Sequence, residues 1–207
     1  MDTSGKGGVI RHCGGWLDPQ GEWVSAFKAP TEEERLHDFL TRSEGRLPPP
    51  GMVGLFDRSH YEDVLIARVR QLADADEIER RYGAINGFEQ RLADTGTTVI
   101  KCMLHISKEE QRSRLHARLD DPTKHWKFNP GDIDERARWD DYQRAYEIAL
   151  ERCNTDAAPF HVIPSDRKWY RNWAVMSLLL EHLRAIDPQW PPGTFDVEEQ
   201  KARFTAS

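Results

Sequence analysis

The sequence has no apolar run approaching the roughly 18 residues that a membrane-spanning helix requires, and its first residues lack the apolar core of a secretory signal. No membrane partner is therefore expected. Cysteine is scarce: Cys13, Cys102 and Cys153 are odd in number and widely spaced, with neither disulfide nor metal-ligand spacing. A reducing, cytoplasmic compartment is the expected setting. The eight histidines include no pair at metal-ligand spacing, and there is no Gly-x-Ser-x-Gly and no plausible Cys/His nucleophile pair. His105, inside an apolar stretch, reads as a satisfied core residue. The formal net charge of −6 argues against general nucleic-acid affinity, although a local cluster of basic residues can still hold a polyanion. Internal repeats and low-complexity segments are also absent.

What remains is a chain of 207 residues, 38% apolar and 31% charged, enough for one domain with a sizeable core. Strand-like and helix-like segments alternate. Residues 22–27 read as a short strand, and Thr31 with Glu34 forms a capping box that opens a helix. Gly45 and Pro48–Pro50 mark a turn. The apolar run 52–56 suits a strand buried on both faces. Helices are expected over 61–70 and 76–94, and the longest strand over 97–106. Ser107 and Glu110 form a second capping box, residues 120–131 are polar and turn-rich, and a helix is expected over 133–152. A last short strand at 160–163 precedes a long helix over 166–185. Strands alternating with helices imply an α/β fold, a parallel sheet flanked by helices with ligands at the strands' carboxyl ends. Residues 1–192 are expected to form a single domain, and residues 193–207 a tail that wraps the surface or frays.

Three stretches carry chemistry. Residues 1–8 read Met-Asp-Thr-Ser-Gly-Lys-Gly-Gly. Gly5, Gly7 and Gly8 let backbone N–H groups converge on a polyanion, and Lys6 supplies an ammonium for phosphate oxygens. The match to G-x-x-x-x-G-K-[ST] is incomplete, because the first Gly would precede Met1 and Gly7 replaces the Ser/Thr. A carboxylate must then supply the lost Mg²⁺ ligand, and Asp2 is the candidate. From these residues alone, a flexible glycine-rich terminus stays open. The second stretch is Phe56-Asp57-Arg58-Ser59-His60-Tyr61-Glu62-Asp63. Asp57 ends an apolar strand, where phosphoryl-transfer enzymes hold Mg²⁺, and Arg58 can fork onto a phosphate. The alternative is a turn in which Asp57 or Ser59 only caps a helix. The third is basic: Arg112, Arg114, Arg118, Lys124, Lys127, Arg136 and Arg138. It fits a lid over phosphates, approximately residues 112–138, or a solvated face ion-paired with Asp120, Asp121, Asp132 and Asp134. Lys28, just past the first strand, can reach a phosphate or lie at the surface. Trp126, Trp139, Tyr142 and Tyr146 read as packing residues, the last three on one helix face.

In order, these stretches resemble the type 2 polyphosphate kinase family. Ile85-Asn86-Gly87-Phe88-Glu89, Leu104-His105-Ile106-Ser107-Lys108-Glu109-Glu110-Gln111, Asp121-Pro122-Thr123-Lys124-His125-Trp126-Lys127, Trp139-Asp140-Asp141-Tyr142 and Ile163-Pro164-Ser165-Asp166-Arg167-Lys168-Trp169-Tyr170 extend the likeness to about Pro192. The resemblance implies a P-loop kinase fold like that of thymidylate kinases, with a helical lid, and Mg²⁺-dependent phosphoryl transfer between inorganic polyphosphate and a nucleotide. By similarity, Asp2 and Asp57 bind Mg²⁺ or position the acceptor phosphate. Lys6 and Arg58 hold phosphates, and Arg118, Lys124 and Lys127 follow the polyphosphate. Glu62 and Asp63 belong to the same motif. The His-Tyr-Glu-Asp form implies AMP and ADP as acceptors, with GMP and GDP open, and the family implies a homo-oligomer. Relatives carry a helical segment and a strand ahead of the loop, so the first strand of the sheet is expected to be missing. Either Met1 is an internal methionine or the chain is a truncated product of lower stability. Two other readings stand beside this one: an ATP-dependent nucleoside monophosphate kinase, and an inactive remnant that binds nucleotide or polyphosphate.

Overall fold

The computed structural model describes residues 3–207. Met1 and Asp2 lie outside the described residues, and with them the Asp2 carboxylate expected at the metal. Helix α1 spans Lys6–Cys13 and is followed by strand β1 (Glu22–Ala26), the one-turn helix α2 (Thr41–Glu44) and strand β2 (Val53–Asp57). Helices α3 (Ile66–Val69) and α4 (Ala75–Asp94) lead to strand β3 (Lys101–His105). Helices α5 (Lys108–Leu119), α6 (Gly131–Ala137) and α7 (Trp139–Cys153) precede strand β4 (Phe160–Pro164), and α8 (Lys168–Ile186) and α9 (Val197–Thr205) complete the chain.

Among the described residues both strand pairs are parallel, as expected, but the sheet comes in two pairs. β1 runs beside β2 in the register Glu22↔Val53 to Ala26↔Asp57, and β3 beside β4 from Lys101↔Phe160 to His105↔Pro164. Among the described residues no strand bridges the two pairs. The core lies against α4 and α7. Ile78, Tyr82, Ile85, Phe88 and Glu89 form the buried stripe of α4, at the three-to-four-residue spacing of one helix face. They meet Tyr61, Val64 and Leu65 from the turn after β2 and Ala145, Ala149 and Cys153 from α7. Ile85 is fully buried, and burying such a side chain contributes about 1.5–3 kcal/mol. Both long helices that open on a cap do so through an oxygen acceptor: Asp74 accepts from the Glu77 N–H at 2.8 Å, and Ser107 from the Glu110 N–H at 3.1 Å.

Several elements differ from expectation. The Thr31/Glu34 capping box forms, with reciprocal bonds of 2.8 and 3.1 Å, but closes only a 3-10 turn at Glu34–Leu36. The helix expected over 61–70 is a 3-10 turn at His60–Asp63 followed by α3, which ends at a left-handed Gln71 (φ 54°). The expected strand 97–106 pairs only over its last part, because β4 offers five partners. The helix expected over 133–152 breaks at Arg138, whose guanidinium leaves the helix path to donate to the Val69 carbonyl at 2.9 Å. The tail holds α9, opened by Asp196 accepting from the Glu199 N–H. Trp139 is buried as expected, whereas Trp126 is 79% exposed and packs into no core.

Candidate phosphate site

The turn before α1 is built around Gly5, which caps the helix in the left-handed region at φ 105°. Its carbonyl accepts from the Gly8 and Val9 N–H groups at 2.9 and 3.0 Å. Only glycine fits there: a Cβ would suffer the conformational penalty of positive φ and would overlap the Arg171 guanidinium. A Cβ on Gly8 would stand 2.9 Å from Arg171 Nη2, while Gly7 faces open space. Lys6, half-buried, lies in the first turn. The helix N-terminus adds its partial positive charge to this end.

Two arginines lie against the turn. Arg114 of α5 donates to the Thr3 and Ser4 carbonyls at 2.8 and 3.2 Å, and to those of Ser165 and Asp166 at 2.6 and 3.0 Å. It therefore ties the loop to the segment that leaves β4. Arg171 of α8 donates from Nη1 to the same Ser4 carbonyl at 3.2 Å. Beside this junction a cavity of about 360 Å³ opens at the carboxyl ends of β3 and β4, lined by His105, Ser107, Asp166, Trp169 and Tyr170 among others. His105 is thus a cavity-lining residue, half-buried, rather than a core one.

The second corner is the end of β2. The Phe27 N–H donates to the Asp57 carbonyl at 3.1 Å, so the parallel pairing carries on past Ala26↔Asp57 and sets Lys28 beside the Asp57–Arg58 turn. The Asp57 carboxylate, half-buried, has no ion-pair or hydrogen-bond partner among the described residues. Arg58 is exposed and left-handed (φ 68°), a conformation that costs a non-glycine residue energy and aims the chain sharply away from the strand. Ser59 then caps the next turn by accepting from the Tyr61 N–H at 3.3 Å. α1 packs against β2, where a Cβ on Gly14 would stand 2.5 Å from Leu55 Cδ1, and so brings the loop's helix alongside this strand.

Behind that turn lies a buried polar cluster. Lys101 Nζ donates to Glu89 Oε2 at 2.6 Å, to the Tyr61 hydroxyl at 2.8 Å and to the Cys153 carbonyl at 2.7 Å. The Tyr61 hydroxyl donates to Glu89 Oε1 at 2.9 Å, and His60 Nε2 stands 3.4 Å from the same oxygen. Burial pulls the Lys101 ammonium below its usual range and pushes the Tyr61 phenol up, the latter reinforced by the Glu89 charge. His60 and Tyr61 of the motif are therefore anchors. Asp63 is also turned inward, with Arg81 Nη1 at 3.7 Å from its carboxylate and donating to its carbonyl at 2.9 Å. Burial raises the Asp63 pKa despite Arg81. Glu62 is half-buried.

The basic stretch splits by location. Arg114 goes to the loop. Arg136 donates to the Lys108 carbonyl and Gln111 at 2.6 and 3.0 Å, at the base of α5. Arg118 donates to the Lys127 carbonyl at 3.0 Å and pairs with Asp132 at 3.3 Å; Lys124 pairs with Asp121 at 2.6 Å. Lys127 lies over the Trp126 ring at 4.8 Å. Residues 122–127 are all exposed. Among the described residues no group of three or more His, Cys, Asp or Glu side chains is arranged to hold a metal. An unpaired Asp57 still fits Mg²⁺, which keeps several waters and is held by one or two carboxylates together with substrate phosphates.

The Polyphosphate kinase 2 (PPK2) family profile matches residues 1–191. The chain belongs to the polyphosphate kinase 2 family. It is 47% identical over 191 residues to the AMP/ADP-polyphosphate phosphotransferase of Meiothermus ruber, covering 92% of this chain and 72% of that protein. It is 39% identical over 206 residues to the ADP-polyphosphate phosphotransferase of Rhodopseudomonas palustris, covering 94% and 71%. The crystal structure of Polyphosphate Kinase 2 from Arthrobacter aurescens TC1 superposes with a TM-score of 0.97 at 56% identity, covering all of this chain and 73% of that one. The likeness supports the P-loop kinase architecture. Sequence reasoning on the family motifs missed Arg171 and the Glu89–Lys101 pair. The pair had a readable signal, a charge at a core position of each of two apolar elements; Arg171 had none, since its contact with Ser4 spans 167 residues.

Proposed function

We propose that this polyphosphate kinase 2 family protein transfers a phosphoryl group between inorganic polyphosphate and a nucleotide, with AMP and ADP as the preferred acceptors and GMP and GDP as further ones. The observation that carries this reading is the pairing of a left-handed glycine turn at a helix N-terminus with an unpaired carboxylate at a neighbouring strand end. The names of the relatives supply the donor and acceptor classes.

In this reading the loop N–H groups of Gly5–Gly8 and the Lys6 ammonium hold phosphate oxygens, Arg58 forks onto the transferred group, and Lys28 stands beside it. Asp57, together with Asp2, would hold Mg²⁺, which when bound neutralises charge building on the phosphate oxygens. Catalysis here is positioning and electrostatic stabilisation. No side chain need remove a proton, because an acceptor phosphate is already ionised at neutral pH. Glu62 faces the acceptor nucleotide, with Asp63 holding the motif against Arg81. Arg118 and Lys124 exchange their present acidic partners, and Lys127 leaves the Trp126 ring, for the polyphosphate as residues 112–138 close. Residues 1–192 act as one catalytic unit, with 193–207 outside it. The protein works as a homo-oligomer in the cytoplasm, a setting supported by its free Cys13, Cys102 and Cys153; no helix among the described residues is long and apolar enough to cross a membrane. A matrix of donors (long-chain polyphosphate or ATP) against acceptors (AMP, ADP, GMP, GDP) tests the reading. ADP and ATP should appear from AMP and ADP with polyphosphate alone. Product only in wells containing ATP would replace it with an ATP-dependent nucleotide kinase.

A further inference from the structure

Arg171 is 3% exposed. A guanidinium so thoroughly removed from water is costly unless a charge answers it, and among the described residues no carboxylate does. Its hydrogen bonds go to neutral acceptors: Nη1 to the Ser4 carbonyl at 3.2 Å, and Nε and Nη2 to Asn172 Oδ1 at 3.1 and 2.8 Å. The neighbouring charge is of the wrong sign. Arg114 Nη1 approaches the same Ser4 carbonyl at 3.2 Å, and Arg114, unlike Arg171, has an acidic partner in Glu110 at 2.8 Å. Gly5 and Gly8, the two residues whose turn shapes the anion cradle, are also the two whose missing Cβ atoms make room for this guanidinium. The loop is therefore wrapped around a buried cation that no carboxylate among the described residues answers.

We infer that Arg171 is a positioning residue of the phosphate site: its charge, lying beneath the Gly5–Gly8 turn, is answered by the polyphosphate bound on the turn's other side. Arg171 does not touch the anion. It donates to the Ser4 carbonyl and adds a fixed positive potential across one layer of backbone. With no anion bound, burial and the like charge of Arg114 both work against the Arg171 cation, and its pKa is lowered accordingly. An arrangement that is unfavourable for the fold alone becomes favourable when a polyanion arrives, which is the behaviour expected of a preorganised binding site. The inference rests on the proposed polyphosphate donor.

The test uses inorganic tripolyphosphate as the probe. Thermal unfolding of the wild type, Arg171→Gln and Arg171→Lys is followed with and without tripolyphosphate, and KM is measured for polyphosphate and for ADP. The wild type should gain melting temperature with tripolyphosphate. Arg171→Gln should lose most of that gain and raise the polyphosphate KM several-fold, with the ADP KM unchanged. Arg171→Lys, which keeps the charge, should retain most of the gain. A glutamine variant that melts lower but keeps the full tripolyphosphate gain and the polyphosphate KM would reduce Arg171 to a structural strut. Equal loss in both variants, or failure of both to fold, would do the same. No tripolyphosphate response in the wild type would overturn the donor reading along with the inference.

Discussion

The glycine turn and the exposed lid both carry cations, and they treat them in opposite ways. In the segment proposed as a lid, Arg118 and Lys124 are answered by acidic residues of the same segment, Asp132 and Asp121, on or near the surface. At the turn, Arg114 donates mainly to backbone carbonyls of segments distant in sequence, and Arg171 to the distant Ser4 carbonyl and the neighbouring Asn172 side chain, with no acidic partner among the described residues. Exposed ion pairs are worth about 0–1 kcal/mol and are readily exchanged. A buried guanidinium cannot trade partners so cheaply. The lid is therefore suited to catching and releasing a polyanion, and the turn to holding one phosphate in a fixed place.

Breaking the turn should have the largest effect. If Lys6 holds the transferred phosphate as proposed, Lys6→Met should lower turnover about 100-fold or more, read as initial rate of ATP formation from ADP and polyphosphate. The buried cluster behind the Asp57–Arg58 turn comes next. Lys101→Met leaves Glu89 buried without its charge partner and should cost about 3–5 kcal/mol of stability in urea unfolding. Combining it with Glu89→Leu should restore part of that loss, since both charges then go together; no recovery would mean that the two do not act as a pair.

The lid should answer more gently. Lys124→Ala should leave stability within about 0.5 kcal/mol of wild type and raise the polyphosphate KM several-fold with the turnover number little changed. Steady-state kinetics at two salt concentrations separates this from the turn, because exposed charges are screened and buried ones much less so. The smallest effect is a pH effect. Hydrogen bonds from Arg80 and Arg81 hold the Glu77 carboxyl at about 2, against an ordinary value of 4.5. A depressed folded pKa contributes stability that is present above 4.5 and is lost as pH falls toward 2. Glu77→Gln should accordingly flatten the urea midpoint between those two values and leave it alone below them, the amount being small because the group is well solvated.

The difference between turn and lid also explains what was legible in the sequence. Local signals transferred well: β1, β2, β4, α4 and α8 lie within about two residues of where periodicity and flanking turns put them, and Ser107 caps α5 through Glu110 as its spacing requires. The turn at Asp57–Arg58 was visible because its residues are contiguous. Places where a distant partner decides were not. An otherwise periodic helix breaks at Arg138, whose guanidinium donates to the Val69 carbonyl 69 residues away. The single sheet became two pairs, since no described strand joins β2 to β3. α9 was readable in principle from Asp196 and Glu199, a cap-and-partner spacing hidden in a proline-rich tail. Arg114 reads in the sequence as one member of the basic run expected over a lid or a solvated face, and Arg171 carries no local signal; only the folded chain brings both against Ser4 and Gly5.

The central claim is that the Asp57 strand end and the glycine turn together move phosphate from polyphosphate to a nucleotide. The most direct measurement is ATP formation from ADP and long-chain polyphosphate, with no ATP added, for the wild type and Asp57→Asn side by side with their melting temperatures. The expected result is ATP from the wild type, at least about 100-fold less from Asp57→Asn, and closely similar melting temperatures, because the Asp57 carboxylate has no partner among the described residues to lose. Equal turnover by the two proteins would contradict it.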